Sequence, residues 1–355
     1  MITPTSLKKG DTVAIVSTAR KVLKNPSAEA EELKPALQLL EKWGLKTVLG
    51  KTIGAAENQF AGSDDLRAAD FQQMMDNPKI KAIWCARGGY GTVRIIDKLD
   101  FSAFKKNPKW IIGYSDVTVL HSHIHTLGVE TLHAQMCLDI ENKTPETTES
   151  LRKVLFGEEY SIFSEVKTYK EANGNILRQT QHNALQEDNQ SFKKSAAAEA
   201  HFQESQEDVA QKFNRLGMGK GELVGGNLSV LYSLCGSNSA VNTDGKILFI
   251  EDLDEYLYHI DRMMMNLKRN GMFKNLAGLV VGGMTKMNDN TISFGFAKDN
   301  PFGKTAVEII TETVSEYDYP VVFNFPVGHI TDNRALIMGR KVTLKVNKNE
   351  TNLVF

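Results

Sequence analysis

Short apolar runs alternate with amphipathic stretches through the first 165 residues of the chain. "DTVAIVST", "KTVLG", "IKAIWCAR" and "KWIIGYS" have the length and β-branched content of buried strands. "AEELKPALQLLEKWG", "DDLRAADFQQMMDN", "TVRIIDKL" and the stretch after Ser115 carry apolar residues at helical spacing. The first of these helices stops at Gly44, and the second has Ser63 or Asp64 near its cap. Strand–helix alternation of this kind predicts βαβ units: a parallel sheet with helices on both faces.

The pattern lapses between about Tyr169 and Lys220, where Gln, Glu, Lys, Ala and Ser replace large apolar residues. Such a segment cannot supply a core of its own. It is expected to be either a mobile linker or a solvated helix laid over the surface, with partial helix favoured from Ala196 to Phe213, where helix formers dominate. Periodicity returns at Gly221. "GELVGGNLSVLYSLCG" reads as strand, Gly-Gly turn and helix. "KILFIEDLDE" is a strand whose apolar run stops at Glu251, and "HIDRMMMNLKRNG" an amphipathic helix closed by Gly271. "LAGLVVGGM" is a buried strand, "GKTAVEIITETVSEY" a helix, and "PVVFNFPVGHITDN" a strand followed by a loop. "ALIMGRKVTLKVNKNETNLVF" reads as a closing antiparallel hairpin around Asn349. The expected division is 1–165, a linker or insertion at 166–220, and 221–355.

With 355 residues the chain has room for two cores. Its 42 basic and 43 acidic residues balance to a net charge of −1, which argues against nucleic acid or an anionic membrane as partner. The three cysteines (Cys85, Cys137, Cys235) are far apart and mostly in apolar runs, as in a reducing compartment. Neither a signal peptide nor an apolar span of about 18 residues is evident. A cytoplasmic protein is expected.

In "WIIGYSDVTVL", Ser115 falls on the turn between a strand and a helix. It is either the helix cap or a nucleophile on a tight elbow, with the Asp116 amide facing a developing oxyanion. The pattern G-x-S-x-G is half met, because Val117 holds the last glycine position. "CARGGYGTVR" leaves amides free to face an anion, or is only a packed turn. G-x-G-x-x-G and a P-loop lysine are both missing, which favours an oxyanion or substrate-lining role for Gly88 and Gly89. Among eight histidines, His121 and His125 stand at metal-ligand spacing, but no H-E-x-x-H or third ligand accompanies them. His182 and His201 fall in the polar linker. His133 and His259 lie on a strand and at a helix start. His329 follows an apolar strand directly, in a Gly/Pro/Asn-rich loop, where open α/β sheets bind ligands. Glu251 holds the same place relative to its own strand, and Ser115, Glu251, His329 is the chain order of one class of serine–acid–histidine triad.

"RGGYG", "IIGYSD", "LVGGNLSVL", "ILFIED" with "IDRMMMNL", and "FPVGH" follow the order and spacing of the LD-carboxypeptidase family. These serine peptidases include murein tetrapeptide carboxypeptidases and microcin C immunity peptidases, and the resemblance covers nearly the whole chain. It implies Ser115 as nucleophile, Glu251 as triad acid and His329 as general base. The Asp116 amide and a glycine amide of Gly88–Gly89 would form the oxyanion hole. The implied fold joins an N-terminal domain of class I glutamine amidotransferase type, carrying the serine, to a smaller β-rich C-terminal domain carrying the acid and base. The implied activity removes D-alanine from a cytoplasmic murein tetrapeptide whose third residue is a diamino acid, in peptidoglycan recycling. No cofactor or metal is required, and family members are usually homodimers. The rival substrates are peptidyl or aminoacyl adenylate analogues, which would call for aromatic surface near the cleft. A non-catalytic peptide- or sugar-binding role would not need all three triad residues. The polar stretch from Arg178 to Arg215 is longer than the usual family connection.

Overall fold

The computed structural model describes residues 1–22, 31–165 and 213–355. Five parallel strands, β1 (Thr12–Val16), β2 (Lys46–Leu49), β3 (Ile80–Cys85), β4 (Trp110–Gly113) and β5 (Thr131–His133), form the first sheet in the order β2-β1-β3-β4-β5. Side chains alternate between its faces as a period of two requires. Ile15, Trp84, Ile112 and Leu132 enter one apolar cluster, and Val16, Ile83, Cys85 and Ile111 the other. Helices α1 (Lys34–Lys42), α2 (Asp64–Asp76), α3 (Ser102–Lys106), α4 (Thr118–Thr126) and α5 (Pro145–Leu155) accompany it. Ser63 caps α2, its hydroxyl accepting from the Leu66 amide.

The second sheet takes β6 (Ser161–Glu165), β7 (Gly217–Asn227), β8 (Ile247–Leu253), β9 (Gly278–Thr285) and β10 (Val321–Val322), with helices α6 (Leu228–Leu234), α7 (Leu257–Arg269) and α8 (Ala306–Thr313) between the later strands. Beyond β11 (Leu336–Met338), strands β12 (Lys341–Val346) and β13 (Glu350–Val354) form the expected hairpin. The order is β10-β9-β8-β7-β12-β13-β6, parallel from β10 to β7 and antiparallel thereafter. The chain crosses between the sheets. β6 pairs with β13, while β11 leaves the C-terminal segment to pair antiparallel with β5 of the first sheet. Leu336 and Met338 join the apolar cluster that holds Phe249 and Val280.

Two local expectations are corrected. "TVRIIDKL" forms two 3₁₀ turns, Thr92–Arg94 and Ile96–Lys98, instead of a helix. Thr92 gives its amide to the Asp116 carboxylate and its hydroxyl pairs with Thr18, which ties the segment down at its start. Gly225–Gly226 is no turn but the end of β7. A Cβ at Gly225 would lie 1.9 Å from the Phe249 carbonyl oxygen, and one at Gly226 2.4 Å from Thr118 Oγ1. These glycines let β8 and α4 approach the strand. Most of the polar stretch, with His182, His201 and nearly all of the helix expected from Ala196, falls on 166–212, outside the described residues. Its described end is ordered: Arg215 exchanges both backbone hydrogen bonds with Val321, and β7 begins at Gly217, inside the span expected as linker. Among the described residues no helix is long and apolar enough to cross a membrane.

Candidate active site

Ser115 does not cap a helix. After extended Tyr114 (φ −148°) it turns into the left-handed region (φ +62°) and opens a 3₁₀ turn that leads into α4. A non-glycine residue held there costs about 1–2 kcal/mol, and such strain is typical of functional sites. Gly88 lies directly against the hydroxyl, since a Cβ on it would stand 3.3 Å from Ser115 Oγ. Gly89 (φ +110°) packs on the Arg20 side chain. The Asp116 carboxylate is buried and accepts the Thr92 amide at 2.9 Å. Burial pushes it upward against the pull of hydrogen bonds from Thr92 and Gly91. Its side chain thus stitches the serine elbow to the glycine loop, while its amide follows the serine in the first turn, where N–H groups have no helical acceptor.

The other half stands at the carboxyl ends of the second sheet. Glu251 is fully buried in β8. Its Oε2 accepts the His329 ring Nδ1 at 2.6 Å and the His329 amide at 3.1 Å, and its Oε1 accepts Asn227 Nδ2 at 3.3 Å. A carboxylate only accepts, so Nδ1 carries the proton and Nε2 is the lone-pair side of the neutral ring. Burial alone would push the imidazole down. The charge and hydrogen bond of Glu251, with Asp252 behind, raise it above the ordinary histidine value. Asp252 is itself pushed up to about 7, by burial and then by Glu251, and takes hydrogen bonds from Asn227 Nδ2 and the Ser229 amide at 2.9 Å each. Gly328 (φ +104°) makes room for this pair, because a Cβ there would stand 2.7 Å from Glu251 Oε2.

The two halves meet. The Tyr114 ring, one residue before the serine, lies 4.8 Å from the His329 ring. The Asn227 amide donates to Thr118 Oγ1 on α4 at 3.0 Å. These two contacts bring the serine elbow beside a ring whose tautomer the acid fixes. Other described histidines stand in different surroundings. His121 has its ring nitrogens against Thr131 Oγ1 and the Gly113 carbonyl, and burial pushes it down to about 4. His125 faces Glu222 at 3.4 Å, and His259 pairs with Glu255 at 2.6 Å. His133 is buried between Tyr114 and Phe249, pushed well down, with no hydrogen-bond partner at either ring nitrogen among the described residues. No group of three or more His, Cys, Asp or Glu able to hold a metal occurs among the described residues. A cavity of about 670 Å³ opens elsewhere, beside α5, with Lys153, Tyr160 and Phe355 in its wall.

Tyr114, Asn227, Asp252 and Gly328 belong to this site and were not singled out from the sequence. Asn227 is also the N-cap of α6, accepting the Val230 amide. That ordinary duty hides the second one.

Known proteins extend these observations. The chain is 30% identical over 345 residues to the "Probable murein peptide carboxypeptidase" of Bacillus subtilis, covering 96% of this chain and 91% of that one. It is 27% identical to the "Microcin C7 self-immunity protein MccF" of Escherichia coli, over 88% and 85% of the two chains. The fold superposes on the crystal structure of an MccF-like protein from Bacillus anthracis with TM-score 0.74, at 22% identity and covering 100% of this chain and 99% of that one. The models of the LD-carboxypeptidase N-terminal and C-terminal domains match residues 13–134 and 220–344 in turn, and the chain therefore belongs to the LD-carboxypeptidase family of serine carboxypeptidases.

Proposed function

We propose that this protein is a serine LD-carboxypeptidase working through Ser115, His329 and Glu251, and that it removes the C-terminal D-alanine of a murein tetrapeptide in the cytoplasm. The observation that carries the reading is the 2.6 Å contact of His329 Nδ1 with buried Glu251, its ring against Tyr114 beside the strained serine. His329 Nε2 takes the Ser115 proton as Oγ attacks the carbonyl of the L-configured centre. The oxyanion falls to the Asp116 amide and an amide of Gly88–Gly89. The protonated ring then gives its proton to the departing D-alanine nitrogen, leaving an acyl-serine. Water, deprotonated by the same ring, releases the shortened peptide and restores the hydroxyl. The serine comes from the first sheet and the acid and base from the second, in keeping with a two-part enzyme. The homodimer and the recycling role belong to the same proposal.

One observation favours the immunity-type reading. Thr285 Oγ1, at the end of β9, donates to the His329 carbonyl at 3.2 Å. The loop beyond carries exposed Phe294 and Phe296, the latter edge-on to Tyr256 at 5.5 Å, an aromatic surface on which a nucleobase can stack. Mass spectrometry after incubation with a defined murein tetrapeptide, and in parallel with a peptidyl adenylate analogue, decides between them. Loss of one D-alanine from the first supports the main reading. An intact tetrapeptide beside a cleaved adenylate analogue would replace it with the second.

A further inference from the structure

An enzyme that takes off one terminal residue must read the free carboxylate of that residue. This carboxylate is two bonds from the nitrogen that His329 protonates, so its anchor has to stand beside His329. The inference rests on the reading just given.

Lys143 stands there. Its side chain is 9% exposed, and Nζ donates to the carbonyl of Ile330, the residue after His329, at 3.0 Å. The acid facing it, Asp139 Oδ2, is 3.6 Å away on a side chain that is 57% exposed, a distance beyond direct hydrogen bonding. Thr144, next in the chain, gives its amide to the Thr331 carbonyl at 3.3 Å, so the lysine is held at two points against the loop that carries His329. An ammonium has three donors. Here one is held by a carbonyl, and the ion's charge is only loosely answered. Burial without full compensation is costly for a cation and holds its pKa below the ordinary lysine value. An incoming carboxylate would complete the pairing with a charge-assisted hydrogen bond.

We propose that Lys143 is the anchor for the C-terminal carboxylate of the substrate's leaving residue, and so the residue that makes this site a carboxypeptidase. A structural tie between the 139–143 loop and the His329 loop would account for the Ile330 bond alone. It would leave substrate preference untouched.

The test pairs a change in the enzyme with a change in the substrate: kcat/KM is measured for the murein tetrapeptide and for the same peptide ending in D-alanine amide. The wild type should prefer the free acid by about 10- to 100-fold, the range for a hydrogen bond to a charged group. Lys143→Met should lose most of that preference by slowing on the acid alone, and Lys143→Arg should keep much of it. Parallel losses on both substrates, or an unchanged preference in Lys143→Met, overturn the assignment. So does equal use of acid and amide by the wild type, whether or not any variant folds. A wild type that cleaves neither peptide rejects the carboxypeptidase reading itself, and the anchor with it.

Discussion

The bend at Ser115 is made within one short stretch of chain and then tied to the glycine loop by Asp116, whereas the Glu251–His329 pair is assembled from Asn227, Glu251 and His329, separated by 24 and 78 residues. The elbow carries its strain on the serine itself, at φ +62°. The acid–base half carries its demand on neighbours, with Gly328 and Gly282 clearing space around Glu251. A local device can be recognised from a short motif and disturbed by a short change. A distributed one has several points of failure, each far from the others in sequence. The proposed mechanism requires both halves to act as one.

The largest effect should test that unity. Ser115→Ala and His329→Ala should each lower kcat by about 10⁵-fold or more, as for nucleophile and base in other triads, and the double variant should be no slower than either. Losses that multiplied would mean the halves contribute independently, and would break the comparison.

Glu251→Gln should cost less, about 10³- to 10⁴-fold in kcat, since the ring stays basic without its orienting acid. Its pH profile carries the sharper information. His329 must be neutral to accept the serine proton, so kcat/KM falls as pH drops through its pKa. Glu251 helps hold that pKa above the ordinary value near 6.5. Removing its charge should therefore move the acid limb to lower pH. A limb that stayed in place would assign it to another group.

Two glycine variants set the halves side by side. Gly328→Ala puts a Cβ 2.7 Å from Glu251 Oε2 at φ +104°. It should cost about 1–3 kcal/mol of stability and about 10²-fold in kcat. Gly88 has no left-handed φ, and the atoms nearest its Cβ would be those of Ser115 and Met136, at 3.2 to 3.3 Å. Gly88→Ala should slow turnover comparably with little change in Tm. A thermal melt and a rate for each variant suffice, and equal Tm losses would erase the contrast.

The same contrast governs what was legible beforehand. Buried strands and helix stops were readable because burial imposes a period on neighbouring residues, and Ser115 stood out by its place between strand and helix. Glu251 and His329 could be placed at strand ends, yet their 2.6 Å contact depends on how β8 and the loop after β10 lie in one sheet. Nothing in the local pattern marks Tyr114 as the ring that meets His329. The Gly225–Gly226 pair misled for a related reason: two glycines commonly turn a chain, and here they admit a neighbouring backbone and helix. The crossing of β11 into the first sheet is likewise invisible, since three apolar residues pair equally well in either sheet.

The smallest effect concerns the seam. The Asn227 amide, buried between the halves, donates to Thr118 Oγ1, three residues past the serine. Thr118→Val keeps the shape and removes the acceptor, leaving a buried N–H unpaired at a cost of about 1–3 kcal/mol. The triad keeps all its members, so kcat should fall by less than about tenfold. If the seam holds the elbow in register with Asn227, and through it with Glu251, that small loss should appear in kcat, with KM nearly unchanged. The Tm loss should be seen in the free protein. A Tm loss with kcat untouched would show that the seam stabilises the fold without positioning the site. An activity loss as large as that of Glu251→Gln would place Thr118 among the groups on which proton transfer depends, and the local half of the comparison would then extend into α4.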